Sequence, residues 1–336
     1  MSTTAGVFSE TTLQNIRAMA DEMMLDDRIK LQYQAQVDAL NVIPKVQTAK
    51  INQILNSKKD KVVEVEWINS CAIEDQDCTS CTVGGTELST NTKTYQITKC
   101  REVPFSVKGY QFIANDFDQQ AVVAKGLLAA DRRLAEYVAQ DFLDFLATNA
   151  GINAWKLAGE IGTVAGNATN IAAANFNADA IAYLLKVYQY NRFVNTQTLS
   201  GNLLFDDWMN GKFNAGAATV DAGAVNRFSA MNMNWDIFNF NAAGYNDTLF
   251  ALSVGSVAAA TKTYEGPSVV DYGKEGKRWS MQSNFVPWLT YDVHYNTNCE
   301  QDRIGEDFVV KARWDFFTQP EACDDGNNGI LQFVAV

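Results

Sequence analysis

Residues 116–149, DFDQQAVVAKGLLAADRRLAEYVAQDFLDFLATN, restrict the fold more than any other part of the chain. Val123, Leu127, Ala130, Leu134, Val138, Phe142 and Phe145 recur at steps of three or four, which keeps one helix face apolar along the whole stretch. Asp116 with Gln119 makes a capping-box start, and Asn149 and Gly151 are residue types that accept a left-handed helix exit. Roughly 33 residues at 1.5 Å each make a rod of about 50 Å, longer than one small core can cover. Other elements must therefore line it. Gly126 costs about 1 kcal/mol against alanine inside a helix, and the expected compensation is close approach of another backbone.

The chain on either side divides by pattern. Leu13, Ile16, Met19 and Met23 predict a first helix capped by Ser9 or Thr11. Pro44 breaks the pattern before a second helical spacing at Val46, Ala49 and Ile54, so residues 1–57 form a helical arm that must lie on something else. Residues 58–112 alternate instead: KVVEVEWI, TKTYQITK and REVPFSVKGYQF predict an extended β-ribbon whose tip is acidic and carries Gly84-Gly85. A long two-stranded ribbon buries little, so contacts outside the subunit are expected to hold it.

Residues 151–176 read as loops and short strands. Asn177 then caps a helix with Ile181, Leu184, Leu185 and Tyr188 on one face and Arg192 near its end. LLFDDWMNGKF predicts a further short helix, and NWDIFNFN and TLFALSVGSV predict strands. DYGKEGKRW, 271–279, reads as a turn between strands. Leu289, Tyr291, Val293 and Tyr295 face one way and Thr290, Asp292, His294 and Asn296 the other; Phe308, Val310, Ala312, Trp314 and Phe316 repeat the period, and the two strands should pair.

Charge and residue counts narrow the chemistry. A net charge of -12 without a basic stripe argues against nucleic-acid recognition, which rests on Lys and Arg at phosphates. No apolar run approaches the ~20 residues of a membrane span and the N-terminus lacks secretory-signal features, so a soluble protein made in the cytoplasm is expected. His294 is the single histidine, which removes HExxH-type sites; it falls on the polar face of a strand with no GxSxG elbow to serve, and reads as a solvated surface residue. Acidic pairs such as Asp206-Asp207 read as caps or solvated groups, and neither GxGxxG nor a P-loop is present. No catalytic, cofactor-binding or metal residue is therefore assigned, and no cofactor is expected.

The cysteines carry the strongest local signal. Cys78 and Cys81 have zinc-knuckle spacing, but Cys71 and Cys100 do not form a second knuckle. A zinc group, cross-strand disulfides and free thiols all remain open for these four, whereas Cys299 and Cys323 read as unpaired.

Taken together, the strand-to-helix passage VPFSVKGYQFIANDFDQQ, the helix at 116–149, the Ile181-to-Arg192 helix and the paired strands of 289–317 resemble the major capsid proteins of tailed bacteriophages, the Hong Kong 97-like fold. The resemblance implies an α+β chain with an N-arm (1–57), an extended β-ribbon or E-loop (58–112), a peripheral domain containing the long spine helix (113–176), an axial domain (177–288), and a return to the peripheral domain with C-terminal strands (289–336). Val123, Leu127, Leu134, Val138, Phe142 and Phe145 become the spine-helix core.

The implied function is structural: a homo-oligomer of hexamers and pentamers that forms an icosahedral virion shell around double-stranded DNA without sequence-specific binding or a membrane. The E-loop begins by residue 58, which leaves no room for a long fused scaffolding region. A separate scaffolding protein is expected, together with a portal and decoration proteins. An encapsulin-like nanocompartment shell is the alternative on the same fold. A metal-dependent or hydrolytic enzyme, supported by the cysteines alone, is the alternative of another class.

Overall fold

The computed structural model describes residues 8–48, 50–53, 62–68, 90–108, 119–154, 160–193, 195–206, 209, 230–300, 303–318 and 328–336. Helix α1 (Glu10–Met23) begins where Ser9 Oγ accepts from Thr12 N, and α2 (Asp27–Tyr33) begins at Asp26, whose side chain accepts from Arg28 N. Leu13, Ile16 and Ala20 of α1 are buried in the main core with Leu40, Val42 and Ile43. The arm thus folds onto its own subunit. Pro44 does not break a helix: it lies in the first turn of α3 (Ile43–Val46), where its missing N–H is no loss. The helical spacing read beyond it gives way to strand β1 (Lys50–Gln53); Ala49 and Ile54 lie outside the described residues.

β1 pairs with β2 (Val62–Ile68), which pairs with β3 (Thr90–Gln96), so the ribbon is three-stranded, with one strand given by the arm. Its base is not left to outside contacts. Val63, Val65 and Ile97 form a small core with Ala258, Ala260 and Phe317, and the Tyr95 and Phe317 rings lie 4.4 Å apart. The acidic tip, 69–89, lies outside the described residues.

REVPFSVK, read from its alternation as ribbon, is strand β4 (Lys99–Lys108) of a different sheet. Alternation fixes a strand but not its partner. This six-stranded sheet is organised on β14 (Arg303–Thr318), the longest strand described. One edge of β14 pairs with β13 (Thr290–Glu300) and then, beyond Ala312, with β10 (Val257–Thr261); the other pairs with β4, so that Trp314 has Thr261 on one side and Lys99 on the other. Strands β12 (Lys277–Gln282) and β11 (Val270–Asp271) complete it beyond β13.

The sheet packs on helix α4 (Gln119–Thr148), the spine, whose 30 residues are described from Gln119 onward. Val123, Leu127, Leu134, Val138 and Phe142 are fully buried, while Phe145 is half-buried against the same core. Burial also takes in Ala124, Leu128, Ala135, Ala139, Leu143 and Leu146, more than one stripe, because the helix has neighbours on several sides. At Gly126 the close neighbour is a ring rather than a backbone: an added Cβ would meet Phe105 Cε2 at 2.6 Å. The exit is not left-handed either, since neither Asn149 nor Gly151 takes a positive φ. Asn149 Nδ2 donates to Phe145 O at 2.8 Å and Gly151 N to Ile330 O at 2.8 Å, which satisfies a helix-end carbonyl and ties the exit to the C-terminal strand.

A second six-stranded sheet has the order β5 (Gly162–Ala165), β6 (Ala168–Ile171), β15 (Ile330–Ala335), β9 (Thr248–Leu252), β7 (Gln197–Ser200), β8 (Met233–Trp235). Helix α5 (Ala178–Tyr190) covers one face through Ile181, Tyr183, Leu184, Val187 and Tyr188, with Leu185 half-buried. Leu249 and Ala251 of β9 face α5, whereas Phe250 and Leu252 join the spine core, so TLFAL is buried on both faces and its alternation is not between core and solvent. NWDIFNFN is a short strand and then helix α6 (Ile237–Ala243), started by Asp236 accepting from Asn239 N and ended by Gly244 at φ 80°. The helix expected in LLFDDWMNGKF falls largely outside the described residues.

Strands β10 to β12, within 177–288, share their sheet with β13 and β14, and β15, within 289–336, lies in the other sheet. A boundary at 288 therefore crosses both sheets. No helix among the described residues is long and apolar enough to cross a membrane.

Candidate functional site

Three acidic residues five apart project from the spine. Five residues rotate a helix by about 140° beyond one turn, so Asp131, Glu136 and Asp141 leave it in three directions. Asp131 is fully buried and accepts from Ser283 Oγ (2.6 Å), Asn284 N (2.8 Å) and Tyr291 Oη (2.8 Å), binding the spine to the β12–β13 connection and to β13. Burial raises its carboxyl to about 6, against these three stabilising donors.

Glu136 accepts from Arg132 Nε at 3.0 Å and from Gln36 N at 3.4 Å, which ties down the arm. Asp141 takes Lys99 Nζ of β4 at 2.7 Å and Trp314 Nε1 of β14 at 2.8 Å. The helix is a scaffold that positions arm, sheet and connection by separate polar contacts. Sequence periodicity counts apolar residues and misses them; the available signal was an acidic residue set among Ala130, Leu134, Ala135 and Phe142.

Asp236, 2% exposed, does similar work between arm and α6, accepting from Ala39 N at 2.9 Å while Asn239 Nδ2 donates to Gln36 O at 2.7 Å. Asp292 was expected on a polar strand face, yet it is buried. Its carboxylate takes Tyr264 N and Glu265 N at 3.1 Å and pairs with Arg313, so the polar face of β13 is covered by the chain around 264.

His294, next on that face, is half-buried rather than solvated. Burial lowers its pKa, and the neighbouring Arg278 and Lys311 charges lower it further. Asp292 is already engaged with Arg313 and two backbone amides, and among the described residues no group of three or more His, Cys, Asp or Glu could hold a metal ion.

Of the four grouped cysteines, Cys71, Cys78 and Cys81 lie outside the described residues. Cys100 is an exposed free thiol on β4, opposite Arg313, and therefore belongs to the sheet and not to the ribbon. Cys299 is opposite Ile304 near the end of β13; Cys323 is outside the described residues, as is Asp207 beside the exposed Asp206.

The two most exposed large apolar side chains among the described residues belong to the arm. Leu25 and Leu31 are 83% and 75% exposed, and Ile237 and Phe238 of α6 are 44% and 46% exposed.

No protein-family model matches the chain, and no curated protein matches it. Among solved structures it is similar to one from Mycobacterium phage Che8, at 12% identity and TM-score 0.44 over 85% of this chain and 92% of that one. It is also similar to the capsid structure of Cyanophage P-SCSP1u, at 8% identity and TM-score 0.44 over 82% and 84%. A third similar structure is the holo-SrpI encapsulin complex of Synechococcus elongatus, at 9% identity and TM-score 0.40 over 82% and 81%.

Proposed function

We propose that this chain is a major capsid protein whose copies assemble as hexamers and pentamers into an icosahedral shell around double-stranded DNA. The observation that carries the reading is the arrangement itself: an arm packed along a 30-residue spine, a ribbon anchored at its base, and two sheets joined through the spine. The parts are held by buried polar contacts that fix geometry, as a shell subunit requires. Leu25 and Leu31, uncovered on the arm, are surface that neighbouring copies would bury. A net charge of -12 suits a container that must not grip its contents.

In this reading the sheet on β14 and the spine form a peripheral domain and the sheet under α5 an axial one. Assembly draws on a separate scaffolding protein and a portal, decoration proteins bind outside, and the subunit is non-enzymatic and made in the host cytoplasm. Electron microscopy of the purified protein is the test. Closed shells or capsomer rings are expected, and a small oligomer of fixed size at every concentration would refute the reading. Shells from the native source should hold DNA; protein cargo without DNA would favour a nanocompartment instead.

A further inference from the structure

Phe8, just ahead of the Ser9 cap of α1, is 9% exposed and sits in a socket on the sheet of β14. Its ring lies 5.9 Å from that of Tyr295 and 6.5 Å from that of Phe308. An apolar residue before a helix cap ordinarily needs only such ring packing, as in a hydrophobic staple. This socket does more. Phe8 N donates to Tyr295 Oη at 2.9 Å, and Lys277 Nζ donates to Phe8 O at 2.7 Å, so both main-chain groups of one residue are read by side chains.

Tyr295 in turn donates to Glu306, which turns the hydroxyl's lone pairs toward Phe8 N. Lys277 and Glu306 are 8% and 2% exposed. Dehydrating such charges is costly, and a purely apolar anchor would not need them. Asp271 lies 3.7 Å from Lys277, yet the lysine's shortest contact is the Phe8 carbonyl.

We propose that Lys277, Tyr295, Glu306 and Phe308 form a peptide-binding socket for a single aromatic residue read through its side chain, N–H and C=O, and that its ligand is the segment around Phe8, which a second copy of the chain can deliver in place of the resident one. The inference stands apart from the shell reading, since it concerns recognition of one segment whatever the final assembly.

The test uses the full-length chain with Phe8→Ala and, in parallel, with Phe8→Leu as the milder change, each checked for folding by circular dichroism. A fluorescein-labelled peptide of residues 2–12 is titrated by anisotropy. Saturable binding to a folded variant is expected, at least tenfold weaker when Lys277→Met is added, when the peptide carries Phe8→Ala, or when the chain is wild type with its socket filled. A folded variant that binds no peptide, or that binds the Phe8→Ala peptide equally well, overturns the proposal. If neither variant folds, wild-type chain is unfolded and refolded with excess labelled peptide: retention through gel filtration, lost with the Phe8→Ala peptide, supports the socket, and no retention overturns it.

Discussion

The Tyr291 hydroxyl donates across 2.8 Å to the carboxylate of Asp131, and both residues are fully buried between the spine and the sheet. The contact draws β13 against the helix midpoint. It also places an acid where ionisation is costly, and burial with the nearby carboxylate raises the Tyr291 hydroxyl well above its usual range.

Stability should therefore rise on mild acidification. Asp131 titrates at about 6 in the native protein against 3.8 for the free side chain, so between those values the native state holds more protons than the unfolded one. Stability falls as pH rises through this window. The penalty, about 3 kcal/mol at roughly 1.36 kcal/mol per pH unit, is complete above it. Asp21, Asp38 and Glu306 are all raised by burial and act in the same direction; His294, lowered chiefly by burial, opposes them below its usual 6.5. Urea unfolding at about pH 5 and about pH 8 should show greater stability at the lower pH, and Asp131→Asn should remove most of the difference. An identical pH dependence in the two proteins would contradict the assignment.

Gly126→Ala should destabilise although alanine is the better helix former. The gain of about 1 kcal/mol in propensity is outweighed by collision with Phe105, which cannot retreat because it stacks on Phe308 at 5.0 Å. A net loss of about 1–2 kcal/mol is expected. Adding Phe105→Leu should recover part of it, so strict additivity in a double-mutant cycle would refute the ring as the cause.

The core and the ribbon tip should separate by mutation. Leu134 is fully buried, so Leu134→Asp places a charge in the spine core and should abolish soluble protein. Replacing 72–88, ahead of β3, by a short Gly-Ser linker should leave the melting temperature within a few degrees and impair assembly instead. Equal loss of soluble protein in both variants would remove the distinction.

The ribbon's base should be loosened independently of the spine. Phe317→Ala removes the ring that packs on Tyr95 in the small core with Val63 and Val65. Hydrogen exchange of β2 and β3 should accelerate at least tenfold while α4 amides keep their protection. Acceleration spread evenly over both would mean that the ribbon is part of the global unfolding unit.

Local pattern was readable where one period and one face governed burial. The alternation of Leu289 to Tyr295 and Phe308 to Phe316 gave the pair β13–β14, and Val123 to Phe142 gave the spine. NWDIFNFN was misread because its aromatic residues outweighed a two-residue signal, the Asp236 cap and the Gly244 exit. The expected helix past Val46 became a strand because pairing with β2 overrode a weak spacing.

By itself the sequence determined the spine, the paired long strands, the helix at α5 and the mixed α+β character, because these depend on repeats that a single chain displays to its own solvent. Only the tertiary structure decided that β4 belongs with β14, that the arm gives a strand to the ribbon, and that Asp131, Asp292 and Phe8 are buried. β4 finds β14, Asp131 finds Tyr291 and Phe8 finds Tyr295 across more than 100 residues, whereas β1 and Asp292 meet partners within 30 residues that no local period singles out. A buried charge looks like a solvated one until the donors that surround it are in place.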